Sequence, residues 1–156
     1  MHKFHFSPVL AFLIVALLVC GCKYDDGPFI SLRSKEARVV NSWAYDLVLH
    51  NGLDVTSGSS ELSVDYTQSS IGFNNDGRFS TIISEIGADS TIVSLQYDGS
   101  WFFQDKKKMI ELVFDSPFPP SGETKSLFIT QLREKVLWLE EVQGINLVEY
   151  RLTPTK

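Results

Sequence analysis

From Trp43 onward, apolar and polar positions alternate with a period of two. Trp43, Tyr45, Leu47 and Leu49 alternate with Ala44, Asp46, Val48 and His50, which predicts a strand with one apolar face. Leu62, Val64 and Tyr66 then alternate with Glu61, Ser63, Asp65 and Thr67. The phase breaks at Gln68-Ser69-Ser70 and resumes with Ile71 and Phe73, so a bulge or a break between two strands is expected there. Asn74-Asn75-Asp76-Gly77 has the composition of a hairpin turn, because Asn, Asp and Gly tolerate positive φ. Further strands are expected over 78–86, 91–97, 100–104, 109–114, 127–132, 136–141 and 145–152. Asp98-Gly99 and Asp105 to Lys107 read as turns between them. The stretch 116–122 reads as a loop, since its three prolines remove ladder donors.

One short segment has helical character. Residues 31–41 contain Ser34 as a candidate cap, followed by the good helix formers Lys35, Glu36, Ala37 and Arg38. A helix of this length needs docking to persist, and plugging one end of the strand assembly would provide it. No stretch between the strands is long enough for crossover helices, which argues against a parallel sheet. The expected class is all-β: an antiparallel up-and-down meander with a short N-terminal helix. Closure into a small barrel removes costly open edges. A two-sheet β-sandwich is the alternative.

The N-terminus follows a different pattern. Val9 to Cys20 carries no charge, after a short basic start at Lys3. As a helix this run spans roughly 18 Å, short of the ~30 Å hydrocarbon core. Residues 1–21 therefore read as a secretory signal peptide rather than a membrane span. Val19-Cys20-Gly21-Cys22 resembles a bacterial lipobox. That resemblance implies cleavage between Gly21 and Cys22 and acylation of Cys22, with Cys20 disfavoured by the bulky Val19 before it. One acyl chain holds only marginally, whereas two or three anchor a protein stably. Lys23-Tyr24-Asp25-Asp26 resembles the export signal of Bacteroidetes surface lipoproteins, with Lys23, Asp25 and Asp26 as its charged members. The implied address is the outer membrane, lipid-anchored and facing the cell exterior, with the periplasmic face as the alternative. Residues 22–28 form a tether, and 29–156 form one domain.

Composition narrows the chemistry. The formal net charge is −5, and removing Lys3 makes it more negative still. Nucleic acid is an unsuitable partner for such a surface, because binding it requires clustered Lys and Arg. Lys106-Lys107-Lys108 is the one basic cluster and falls in a turn. Once Cys22 is blocked the domain has no thiol, so packing must stabilise it. Eleven Phe, five Tyr and three Trp supply the large side chains, most of them downstream of Cys22.

Ser31-Leu32-Arg33-Ser34-Lys35, Asn41-Ser42-Trp43, Asp98-Gly99-Ser100-Trp101 with Asp105-Lys106-Lys107, and Tyr150-Arg151-Leu152-Thr153-Pro154 follow one another along the chain. In that order they resemble the lipocalin-like domain of bacterial lipoproteins. The resemblance covers the domain from about Gly27 to the C-terminus. It implies a lipocalin-like β-barrel with Trp43 at the closed end. The Gly of the lipocalin Gly-x-Trp motif is replaced here by Asn41.

Catalytic chemistry is not evident. His50 alone cannot make a zinc site, which needs three or four ligands. No Gly-x-Ser-x-Gly elbow or phosphate-binding loop is present. Asp46, Asp65, Glu111, Glu140 and Glu141 lie on strands, where a pair could meet as a glycosidase-like dyad, but solvated strand faces account for them more simply. No enzyme, cofactor or metal is expected. Trp43, Tyr45, Trp101, Phe103 and Trp138 are the candidates for a pocket lining or a filled core. Two roles stay open: holding a small apolar ligand in the barrel, or docking a protein partner on its outer face. Trp101-Phe102-Phe103 places aromatics on both faces and favours the second.

Overall fold

The computed structural model describes residues 33–155 apart from 59–62, 88 and 116–121. The signal segment, the tether and the residues assigned to cleavage, lipidation and export (Gly21, Cys22, Lys23, Asp25 and Asp26) lie outside the described residues. A short helix, α1 (Lys35–Val39), precedes nine strands. These are β1 (Ser42–His50), β2 (Leu53–Asp54), β3 (Val64–Phe73), β4 (Arg78–Ile86), β5 (Ile92–Gln104), β6 (Met109–Phe114), β7 (Thr124–Arg133), β8 (Val136–Gln143) and β9 (Asn146–Pro154).

Each strand from β3 to β9 pairs antiparallel with the next, and β1 pairs with both β3 and β9. Trp43 stands opposite Ile71 on one side and Pro154 on the other. The β1–β9 pairing closes β1 and β3 to β9 into an eight-stranded barrel, and β2 is a short addition on β1. Closure excludes the two-sheet sandwich, although the β1–β3 seam is short, with pairing from Ser42–Gly72 to Ala44–Ser70.

Two bulges set which side chains face inward. In β1 the register passes from Tyr45–Leu152 to Leu47–Arg151, skipping Asp46. The alternation therefore flips after Tyr45. Val48 is fully buried inside the barrel, while Leu47 and Leu49 turn outward opposite Arg151 and Glu149. The sequence alternation had placed both leucines with Trp43 and Tyr45. His50 ends β1, opposite Leu53 and Val148.

The second bulge is the phase break in β3, which remains one strand. It runs from Asp65 to Ser70 while β4 covers only Ser84 to Ile82. The polar residues at the break satisfy the displaced backbone. Thr67 donates to Asp65 Oδ1 through its backbone N–H at 3.0 Å and its hydroxyl at 2.6 Å. The Ser69 hydroxyl donates to the Asp65 carbonyl at 2.8 Å and accepts from the Ser84 N–H at 3.0 Å.

Asp98-Gly99 is not a turn. Both residues lie within β5, with Gly99 opposite Phe79 on β4 and Phe114 on β6. A Cβ at Gly99 would stand 2.5 Å from the Phe79 ring and 2.2 Å from the Val113 carbonyl oxygen. Glycine is needed there for close approach, as glycine within a strand often is.

One end of the barrel is packed solid. Trp43, Phe73, Phe79, Ile110, Leu132 and Leu137 are all but fully buried there. Trp101 stacks edge-on between Phe73 and Phe103, with centroids 5.4 Å from each. Helix α1 docks against this end. Ser34 caps it, accepting from the Ala37 N–H at 3.1 Å. The Trp43 indole N–H donates to the Val39 carbonyl at 2.8 Å, and Arg38 donates to the Leu132 carbonyl at 3.0 Å. The turn Asp105–Lys107 has φ of 43°, 54° and 66°, three successive left-handed residues. It brings Lys107 Nζ to 2.6 Å from Glu36 of α1.

Candidate functional site

Above the packed end the barrel is hollow. A cavity of about 320 Å³ lies between the walls, partly open to solvent. That is roughly twice the ~150 Å³ of an apolar cavity that accommodates benzene. Leu112, Leu127, Leu139 and Leu152 form its apolar lower wall, and Phe114 and Tyr97 stand higher on β6 and β5. Each comes from an inward position of its strand, as period-two alternation requires.

Three tyrosines cluster on one side. Tyr45 of β1 lies 5.3 Å from Tyr66 of β3 and 5.8 Å from Tyr150 of β9, measured between ring centroids. Tyr66 and Tyr150 are 6.2 Å apart. The rings are tilted or edge-on, the geometry their quadrupoles favour. Burial raises the pKa of all three phenols above the ordinary tyrosine range. Nearby negative charge adds to that rise, with Glu141 contributing at each.

Glu141 of β8 is the polar centre of the cavity. It is buried, and the Tyr150 phenol donates to its Oε2 at 2.8 Å. Its Oε1 lies 3.2 Å from Lys125 Nζ of β7. The Lys125 side chain is 34% exposed against 10% for Glu141, so the lysine occupies the solvent side of the pair. Glu123 joins them in the lining. The site thus offers a broad apolar wall and one fixed, hydrogen-bonded carboxylate with an exposed cationic partner.

The five aromatic candidates separate. Only Tyr45 lines the cavity. Trp43 and Trp101 are buried in the packed end, and Phe103 packs against that core, with Lys107 Nζ 5.9 Å from its ring centroid. Trp138 belongs neither to this cavity nor to the core, and lines a separate outer groove with Leu47 and Arg151. It alternates with the inward Leu137 and Leu139, so it faces outward, with the Arg151 guanidinium 4.7 Å over its ring. Phe102 is likewise exposed.

The five strand carboxylates do not converge. Glu141 lines the cavity, while Asp65 serves the β3 bulge and Glu111 accepts from the Ser126 hydroxyl at 2.9 Å. Asp46 is the bulged residue of β1, and Glu140 takes the strand face opposite Glu141. Tyr66, Tyr150, Lys125 and Glu141 form the polar side of the site, and the sequence did not single them out together. The signal that could have found them is a charged residue at an inward position of an otherwise alternating strand, as with Glu141 after Leu137 and Leu139.

No family model and no curated protein matches the sequence. Solved structures with a similar fold are lipocalin-like proteins. A lipocalin-like protein from Bacteroides uniformis aligns at 16% identity and a TM-score of 0.45, over 76% of this chain and 99% of its own. An odorant-binding protein from bovine nasal mucosa aligns at 9% identity and a TM-score of 0.46, over 81% of this chain and 77% of its own. A bovine lipocalin allergen aligns at 14% identity and a TM-score of 0.44, over 76% and 73%.

Proposed function

We propose that this chain is a lipid-anchored binding protein of the outer membrane, facing the cell exterior, whose barrel holds a small and mostly apolar ligand. It acts by binding and not by catalysis. The observation that carries the ligand reading is the cavity of about 320 Å³ between the apolar wall and the tyrosine–Glu141 side. A barrel that served only as a scaffold would gain stability by filling that space, since cavities cost packing energy. Native mass spectrometry of the mature protein, released gently from its own membranes, tests it. An added mass that disappears on denaturation is the expected result. Repeated recovery of the apo mass, with no small molecule retained after incubation with membrane extract, would reject the reading.

The address rests on Cys22 and on Lys23, Asp25 and Asp26. Cys22→Ala should release the protein from membranes, and pelleting after a high-salt wash would refute lipidation. Replacing Lys23, Asp25 and Asp26 by Ala should lower protease accessibility on whole cells while leaving the anchor intact.

A second reading, docking of a protein partner on the outer face, draws on exposed apolar side chains at the β8–β9 hairpin. Val142 and Leu147 pair across the strands with Ile145 at the tip, fully exposed. Ile145→Asp should abolish partner capture after crosslinking on whole cells and leave any cavity ligand bound.

A further inference from the structure

We propose that the barrel cavity selects ligands carrying a protonated amine, which takes the place of Lys125 on the Glu141 carboxylate. This rests on the ligand-binding reading above and names the ligand's polar group. Among the described residues, the charged side chains lining the cavity are Glu123, Lys125 and Glu141, two acids against one base. Glu141 is the fixed member: it is buried and held by the Tyr150 phenol at 2.8 Å. A buried carboxylate is costly without a cation or hydrogen bonds, so whatever occupies the cavity must leave it paired.

Lys125 is the replaceable member. Its side chain is one-third exposed, and its flexible four-carbon stem lets the ammonium regain full hydration by swinging outward. Exchange of one ammonium for another keeps Glu141 neutralised throughout. Tyr45, Tyr66 and Tyr150 line the same cavity, and aromatic rings in a site also favour a cation. A ligand carboxylate meets the opposite situation. To capture Lys125 it must strip the cation from Glu141 and add a second negative charge beside it. A neutral ligand gains only apolar burial.

The test uses three probes of one shape and different charge: benzylamine, benzyl alcohol and benzoate. They are titrated calorimetrically at neutral pH into the mature lipid-anchored protein in nanodiscs, with empty nanodiscs subtracted. Benzylamine should bind roughly tenfold or more tighter than benzyl alcohol, the scale of one charge-assisted hydrogen bond. Benzoate should bind weakest. In Glu141→Gln the amine advantage should collapse while benzyl alcohol binding persists, which also shows that the variant is folded. In Lys125→Gln benzylamine should bind more tightly, because its internal competitor is gone. Benzoate binding as tightly as benzylamine, or an amine advantage that survives Glu141→Gln, overturns the inference and leaves the cavity reading standing. Failure of all three probes to bind overturns both.

Discussion

Tyr150 and Glu141 sit diagonally on adjacent strands inside the barrel, and the Tyr150 phenol donates to Glu141 Oε2 at 2.8 Å. Both residues are buried. Tyr150→Phe removes the donor and leaves a buried charged oxygen short of a partner. The expected cost is about 1–3 kcal/mol of folding stability, the desolvation penalty of an unsatisfied group. Urea denaturation with an unchanged m-value would measure it. Lys125→Met should cost less, because the lysine side of the pair is screened by solvent.

The tyrosine cluster makes the barrel sensitive to alkali. Burial raises the pKa of Tyr45, Tyr66 and Tyr150 in the folded state, while in the unfolded chain they ionise near their ordinary value. Above about pH 10 the unfolded state therefore binds fewer protons than the folded one, and stability falls as pH rises. Each tyrosine contributes a slope of up to about 1.4 kcal/mol per pH unit in that range. The phenolate absorbance of these three tyrosines should be missing from the folded protein's alkaline titration and appear together with unfolding. Ionisation of all five tyrosines near their ordinary value with the fold intact would contradict the buried cluster.

Gly99 gives a sharper mutational test. A Cβ there meets the Phe79 ring and the Val113 carbonyl well inside contact distance, and the carbonyl is backbone that cannot step aside. Gly99→Ala should destabilise by about 1–3 kcal/mol or more, in the range of overpacking. The paired variant Gly99→Ala with Phe79→Leu should recover part of the loss by removing the ring. Thermal unfolding of the two variants distinguishes them.

These positions also show what could be read from the chain alone. Most strand positions and the antiparallel order followed from period-two alternation and turn residues, and the Ser34-capped helix from its cap and helix formers, because those signals are local. Closure is not local, and the chain alone left the barrel and the sandwich both open. The phase break at Gln68-Ser69-Ser70 was visible because three polar residues interrupt the pattern. The Asp46 bulge was not, since the residues around it keep an apolar-polar alternation that fits either register. Gly99 looked like a turn because Asp-Gly favours one. Its real constraint comes from Phe79, twenty residues away, and no local rule reports it. Trp138 was grouped with the interior by residue type, although its neighbours Leu137 and Leu139 take the inward positions. The pairing of Lys125 with Glu141 depends on how β7 and β8 place them, and a register shift between Ile129 and Gln131 separates the pair from the β7–β8 turn.

The closed end should behave as one cooperative unit with α1. The helix is five residues long and is held by its Ser34 cap, by the Trp43 indole on the Val39 carbonyl and by Arg38 on the Leu132 carbonyl. A helix this short has no independent stability, so its cap matters only while the helix is docked. Ser34→Ala should therefore cost about 1 kcal/mol in the native background. Trp43→Phe should cost more, because it opens space in the packed end and leaves the buried Val39 carbonyl without its donor. If that loss releases α1, adding Ser34→Ala should cost little further. The double-mutant cycle should then show a coupling of about 0.5 kcal/mol or more, read from denaturation midpoints. Strict additivity would mean that the helix forms independently of Trp43 and that the indole hydrogen bond does not hold it.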